Sequence, residues 1–282
     1  MKTPTLFLLS FMSLSFLVIP PRKEVFTLKK FEKKLGMVTP QLYAGKYEAT
    51  NLEYREFLKH IEKKGDSELL GKVKIFNENW RIDGTYNEPF VNTYHQHPSY
   101  DNYPVVNVSH AGATAFCEWL TDTYNAYPKR EFKKVKFRLP TEEEWVEAAR
   151  AGHEMAPFPW GGYYVMDSKG QVLANFKRLP QTIFKKFTED GRLETIEDLS
   201  FIAKMNAPTM IAHSNSFIPN DFGLHNCSGN VAEMLAQPGR TKGGSWASYG
   251  YYIQIDAEDE FAGFTEPSPK IGFRYFMEVI EE

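Results

Sequence analysis

Three helix signatures end by Gly152, and no later stretch has the apolar period and length of another helix. Much of the rest of the chain must then be held as short strands and loops, with residues 163–220 a patchwork of both. Irregular chain inside a compact domain needs a metal, a disulfide or aromatic packing to hold it. Only two cysteines are present, Cys117 and Cys227, and their sequence positions do not say whether they meet. Aromatic residues make up 15% of the chain, including five tryptophans and fifteen tyrosines, so large flat side chains are the available cement. With 42% hydrophobic residues among 282, the chain can fill one sizeable core.

The helix signals are local and chemical. Thr50 and Glu53 have capping-box spacing, Tyr54, Phe57, Leu58 and Ile61 share one face, and Gly65 suits the C-terminal cap. Ser109 opens a second helix whose stripe is Ala113, Phe116, Cys117, Leu120 and Tyr124. Cys117 on that stripe reads as packing, because a thiol in apolar surroundings rarely ionises. Thr141 and Glu144 form another box, with Glu142 and Glu143 at the positive end of the dipole, and Gly152 ends the helix. Capping explains these acids better than acid–base catalysis. Residues 66–104 read as mostly irregular. His95 and His97 there could bind a metal or simply pack a polar loop.

The first residues run from one lysine through an apolar stretch, Leu6 to Ile19, to Pro20 and Pro21. Residues 1–21 read as a signal peptide, or as an anchor if uncut. That implies export to the periplasm, the outer membrane or the medium, with membrane contact only through this segment. Residues 22–39 are basic, a linker or an edge strand, and the domain is drawn over 40–282. Net charge is −3, which argues against a nucleic-acid partner.

"KYEATNLEYREFL", "YPVVNVSHAGATAFCEWL", "FRLPTEEEWVEAARAG", "FPWGG", "ANF", "FGLHNCSGNVAEM", "KGGSW" and "IGFR" occur in this order. The chain thereby resembles the formylglycine-generating enzyme (sulfatase-modifying factor) domain family. "EPFVNTYHQHPSYDNYPVV" looks closer to exported Bacteroidetes relatives, some tied to gliding motility and secretion. The resemblance implies an α+β domain of C-type-lectin-like fold with little regular secondary structure.

The resemblance also implies an activity and its loss. The family enzyme oxidises a sulfatase cysteine to formylglycine with dioxygen, using two thiolates that select Cu(I). Those positions fall on Ser248 and about Ile253 here, and neither supplies a thiolate. Copper is therefore not expected. A calcium site carries over onto Asn226, the carbonyls of Gly229 and Val231, and Glu233, oxygen donors of the kind calcium takes. A turn held by Asn226 and Asn230 is the plain alternative. A second family site would use Asn175, the carbonyl of Phe176, Asp190 and the carbonyl of Arg192. Trp246, Ser248, Tyr249, Tyr251 and Tyr252 could line a groove for a protein or glycan of the cell envelope. The alternative is a strand that buries half its rings. Arg274 of "GFR" is expected in a structural ion pair, beside Phe273 in the core. The expected function is recognition without catalysis, with formylglycine generation or glycan binding as alternatives.

Overall fold

The computed structural model describes residues 28–82, 87–177, 183–187, 193–197 and 210–282. Helix α1 (Leu28–Glu32) leads into a hairpin, β1 (Leu35–Thr39) and β2 (Leu42–Gly45). Strands β3 (Lys134–Arg138) and β9 (Phe276–Glu281) complete an antiparallel sheet in the order β1-β2-β9-β3. Residues 35–39 form an edge strand of this sheet. The fold begins before the boundary drawn at residue 40, because Leu28, Phe31 and Leu35 are buried in the main core.

The helices form where their caps dictate. Helix α2 (Asn51–Lys64) starts at Thr50 with both halves of the capping box made, and ends at Gly65 in the left-handed region. Helix α5 (His110–Asn125) starts at Ser109, which accepts the Gly112 amide. Helix α6 (Glu142–Arg150) has the Thr141–Glu144 box, and it ends one residue early, with Ala151 at φ 47°. Glu144 also takes both arms of Arg138, at 2.6 and 2.7 Å, which confirms its capping and bracing role. Residues 66–104 are more regular than their sequence suggests. They contain α3 (Ser67–Val73), α4 (Glu88–Thr93) and two short 3-10 turns. These elements are too short to show an apolar period.

Strand β9 sorts the core by its period of two. Met277 and Val279, with Tyr275 just before the strand, pack with Tyr54, Phe57 and Phe116 of α2 and α5. Phe276 faces the other way, into a cluster with Trp145 of α6. Rings fill the first side: Tyr54 stacks on Phe116 at 5.9 Å, and Phe273 meets Phe116 edge-on at 5.4 Å. Each such ring contributes roughly 1.5–3 kcal/mol by burial. His95 belongs to the interior, its ring between Asn77 Oδ1 and the Val106 carbonyl. His97 instead caps a turn at the surface, so the two do not form a metal pair.

A smaller sheet, β7-β6-β8, lies against α6 and carries the candidate site. Strand β6 (Ala232–Met234) pairs antiparallel with β7 (Thr241–Lys242) and parallel with β8 (Ile271–Gly272). A hairpin of β4 (Ile183–Phe187) and β5 (Leu193–Glu197) stands apart as its own two-stranded sheet. Among the described residues no helix is long and apolar enough to cross a membrane.

Candidate functional site

Strand β7 stops at Lys242, and the strand expected through the aromatic segment is not formed. From Trp246 onward the chain runs in successive turns, closed by Ser248 N–H to Ser245 O at 3.0 Å and Tyr252 N–H to Tyr249 O at 2.9 Å. The turn path follows from Gly244. Its φ is +64°, and a Cβ there would sit 2.8 Å from the Tyr252 carbonyl. Only glycine allows that return.

Ser248 is a clasp within these turns. It is fully buried, its Oγ accepts the Ser245 amide at 2.8 Å, and it shares a hydrogen bond with Ser245 Oγ at 2.9 Å. Ile253 is also fully buried, against Phe158, Ala174 and Phe176. Trp246 is half-buried and donates to the Pro269 carbonyl at 3.1 Å. Of the five residues expected to line a groove, Tyr249 and Tyr251 expose their rings, 40% and 54%, with Tyr252 edge-on to Tyr251. The Lys177 ammonium lies 4.9 Å over the Tyr249 ring. Ser248 and Trp246 therefore build the turn, and the tyrosines present its surface.

The two thiols are apart and inert. Cys117 packs in the first cluster and Cys227 in the second, and both are free. Burial pushes the Cys227 thiol up to about 12 and Cys117 higher still. Among the described residues no three His, Cys, Asp or Glu side chains converge in a group able to hold a metal ion.

The loop before β6 brings together residues far apart in sequence. Asn226 and Asn230 both have positive φ, 56° and 63°. Asn230 donates to Glu48 Oε1 at 2.8 Å, and Asn226 donates to Glu48 Oε2 at 3.0 Å. Asn175 donates to Asn230 Oδ1 at 3.1 Å, and its carbonyl accepts the Asn230 amide at 2.7 Å. Gly229 lies so close to Asn175 that a Cβ would meet its carbonyl at 2.1 Å. Asn226 and Asn175, assigned to two separate sites from sequence, are thus joined through Glu48 and Asn230. Phe176 is buried beside Ile253, Val231 packs on Trp80, and Asp190 and Arg192 lie outside the described residues.

Glu233 requires a correction. Its Oε1 accepts Arg274 Nη2 at 2.6 Å and Nε at 3.2 Å; its Oε2 accepts Arg274 Nε at 3.0 Å and Trp145 Nε1 at 2.8 Å. Three N–H donors, with the Arg274 Nε–H shared between both oxygens, take up most of the carboxylate's lone-pair sites. An adjacent guanidinium also repels a cation. Glu233 does not fit as a calcium ligand; it is the partner that Arg274 was expected to have. Asn226 Oδ1 and Asn175 Oδ1, in contrast, are buried acceptors with no hydrogen-bond partner, and they fit a cation or ordered water.

Sequence reasoning missed Glu48. It is fully buried, and burial pushes its carboxyl up to about 8 against the pull of Arg274. A lone acid just after a buried strand was the available signal.

With this geometry in place, comparison with known proteins is decisive at the level of family. The model of the sulfatase-modifying factor enzyme 1-like domain matches residues 29–279. The chain belongs to that family. It is 33% identical over 135 residues to the formylglycine-generating enzyme of Thermomonospora curvata, covering 48% of this chain and 33% of that one. It is 29% identical over 219 residues to the formylglycine-generating enzyme of Mus musculus, covering 69% and 48%. A third relative is the inactive C-alpha-formylglycine-generating enzyme 2 of Bos taurus, 26% identical over 211 residues, covering 67% and 58%. The chain thus spans between a third and about half the length of the formylglycine-generating enzymes it matches first. Among solved structures, PvdO from Pseudomonas aeruginosa aligns with a TM-score of 0.52 at 17% identity, over 84% of this chain and 80% of that one. CarF aligns at 0.50 and 18%, over 85% and 87%. These two share the fold.

Proposed function

We propose that this sulfatase-modifying-factor domain recognises a partner without oxidising it. The observation that carries the reading is the state of Ser248 and Ile253, the positions where the family resemblance puts the copper thiolates. One is a buried hydroxyl consumed by Ser245, and the other is a buried hydrocarbon. Soft thiolates are what select Cu(I), and neither side chain has one. A relative named as inactive supports the reading. The recognising surface is the turn segment with Tyr249, Tyr251 and Tyr252, whose rings suit an extended protein segment of the cell envelope. Export by the leader, and a role beside secretion or gliding machinery, belong to the same proposal.

Calcium belongs to it as well. The donors this chain offers are the free oxygens of Asn226 and Asn175 with nearby loop carbonyls, without Glu233. The ion would brace the loop that joins Asn175 to Asn230.

The test is direct. The purified protein is incubated with Cu(I), dioxygen and a C-x-P-x-R peptide, and the peptide is weighed by mass spectrometry. Unchanged cysteine is expected; conversion to formylglycine overturns the reading.

A further inference from the structure

A hollow of ≈ 380 Å³ opens between α1, α2 and α5, built from residues that the proposed recognition surface does not use. Its floor is made by Phe31, Phe116, Trp119 and Leu120, and Lys59 and Lys63 stand on its rim. The size is at the low end of small-molecule sites, with rings below and charged and polar side chains around the rim. A second hollow of ≈ 290 Å³ lies on the other flank of Trp119 and shares His60 and Thr123 with the first.

The charges of the rim are not balanced. Glu53 accepts Lys34 Nζ at 2.7 Å and the Thr50 amide and hydroxyl, so its carboxylate is spent on the helix cap. Glu56 pairs with Lys59 at 2.8 Å. No carboxylate of a described residue pairs with Lys63, which is exposed one helical turn beyond Lys59. One ammonium is left over beside an aromatic floor.

We propose that this hollow binds a free small molecule with a ring-sized apolar body and one carboxylate or sulfonate. The rings take the body, and Lys63 takes the anion. A partner helix, about 10 Å across with its side chains, is too wide for a cavity of this volume.

The probe is 8-anilino-1-naphthalenesulfonate, titrated onto the full chain and followed by its own fluorescence and by tryptophan quenching. One site with a Kd on the order of tens of micromolar is expected. Lys63→Glu should weaken it roughly tenfold, and added salt should weaken it too. Thr123→Trp, which fills the hollow from its half-buried wall, should abolish it. Both variants should melt as the parent does, since neither removes a buried contact. Binding unchanged in both variants, or equally tight binding of uncharged N-phenyl-1-naphthylamine, overturns the proposal.

Discussion

The guanidinium of Arg274 lies 2.6 Å from the carboxylate of Glu233, with both side chains 1% exposed. The pair links β6 to the start of β9, and Arg274 also donates to the carbonyls of Gly45 and His225, both at 2.7 Å. Removing one partner leaves a buried charge uncompensated. Glu233→Ala should therefore lose about 3–5 kcal/mol in urea unfolding. The loss should be the same with and without chelator, because the carboxylate is already engaged by Arg274 and Trp145. A loss confined to calcium-containing buffer would restore Glu233 as a ligand.

Calcium has a separate signature. If the free oxygens of Asn226 and Asn175 hold it, EGTA lowers the melting temperature by several degrees, since saturating ligand at 100 Kd stabilises by about 2.7 kcal/mol. Asn226→Ala should remove that sensitivity even though the variant starts less stable. A melt indifferent to EGTA, with no calcium retained after dialysis, assigns those oxygens to water.

Stability should fall on both sides of a plateau in pH. Glu48 keeps its proton up to about 8 when folded, against an ordinary 4.5, because burial disfavours the anion. The folded state then holds the extra proton, so stability declines as pH rises from about 4.5 to about 8. His95 does the opposite. Burial lowers it to about 3 from 6.5, so the unfolded state holds the extra proton and stability declines as pH falls from 6.5 toward 3. Between about 4.5 and 6.5 the two slopes oppose each other. Glu48→Gln should flatten the alkaline limb. His95→Gln should flatten the acid limb. Urea midpoints measured from pH 4 to 9 decide both.

Copper uptake should be obtainable by design at the positions where the family resemblance puts the thiolates. Wild-type protein should leave a colorimetric Cu(I) chelator complex intact. Ser248→Cys with Ile253→Cys should extract about one equivalent, at a stability cost of roughly 1–3 kcal/mol for the smaller core residue. No extraction by the double variant, if it is folded, means that the turn does not bring the two positions together.

The sequence by itself determined the pieces whose physics is local. Thr50, Ser109 and Thr141 cap helices because each hydroxyl reaches an amide three residues away, and the stripe through Phe116 and Leu120 needs only the helical period. The ordered motifs carried the family, and Phe273 and Arg274 went where "GFR" implied. Only the tertiary structure decided what those side chains face. Glu233 looked like a cation ligand until Arg274 and Trp145, 41 and 88 positions away, filled its oxygens. Glu48 drew no notice until Asn226 and Asn230, 178 and 182 positions away, closed over it. The Trp246–Tyr252 segment could not be told from a strand because its path is set by a close approach across Gly244. Hydrogen-bond saturation and desolvation are properties of neighbours in space, and a linear chain does not display them.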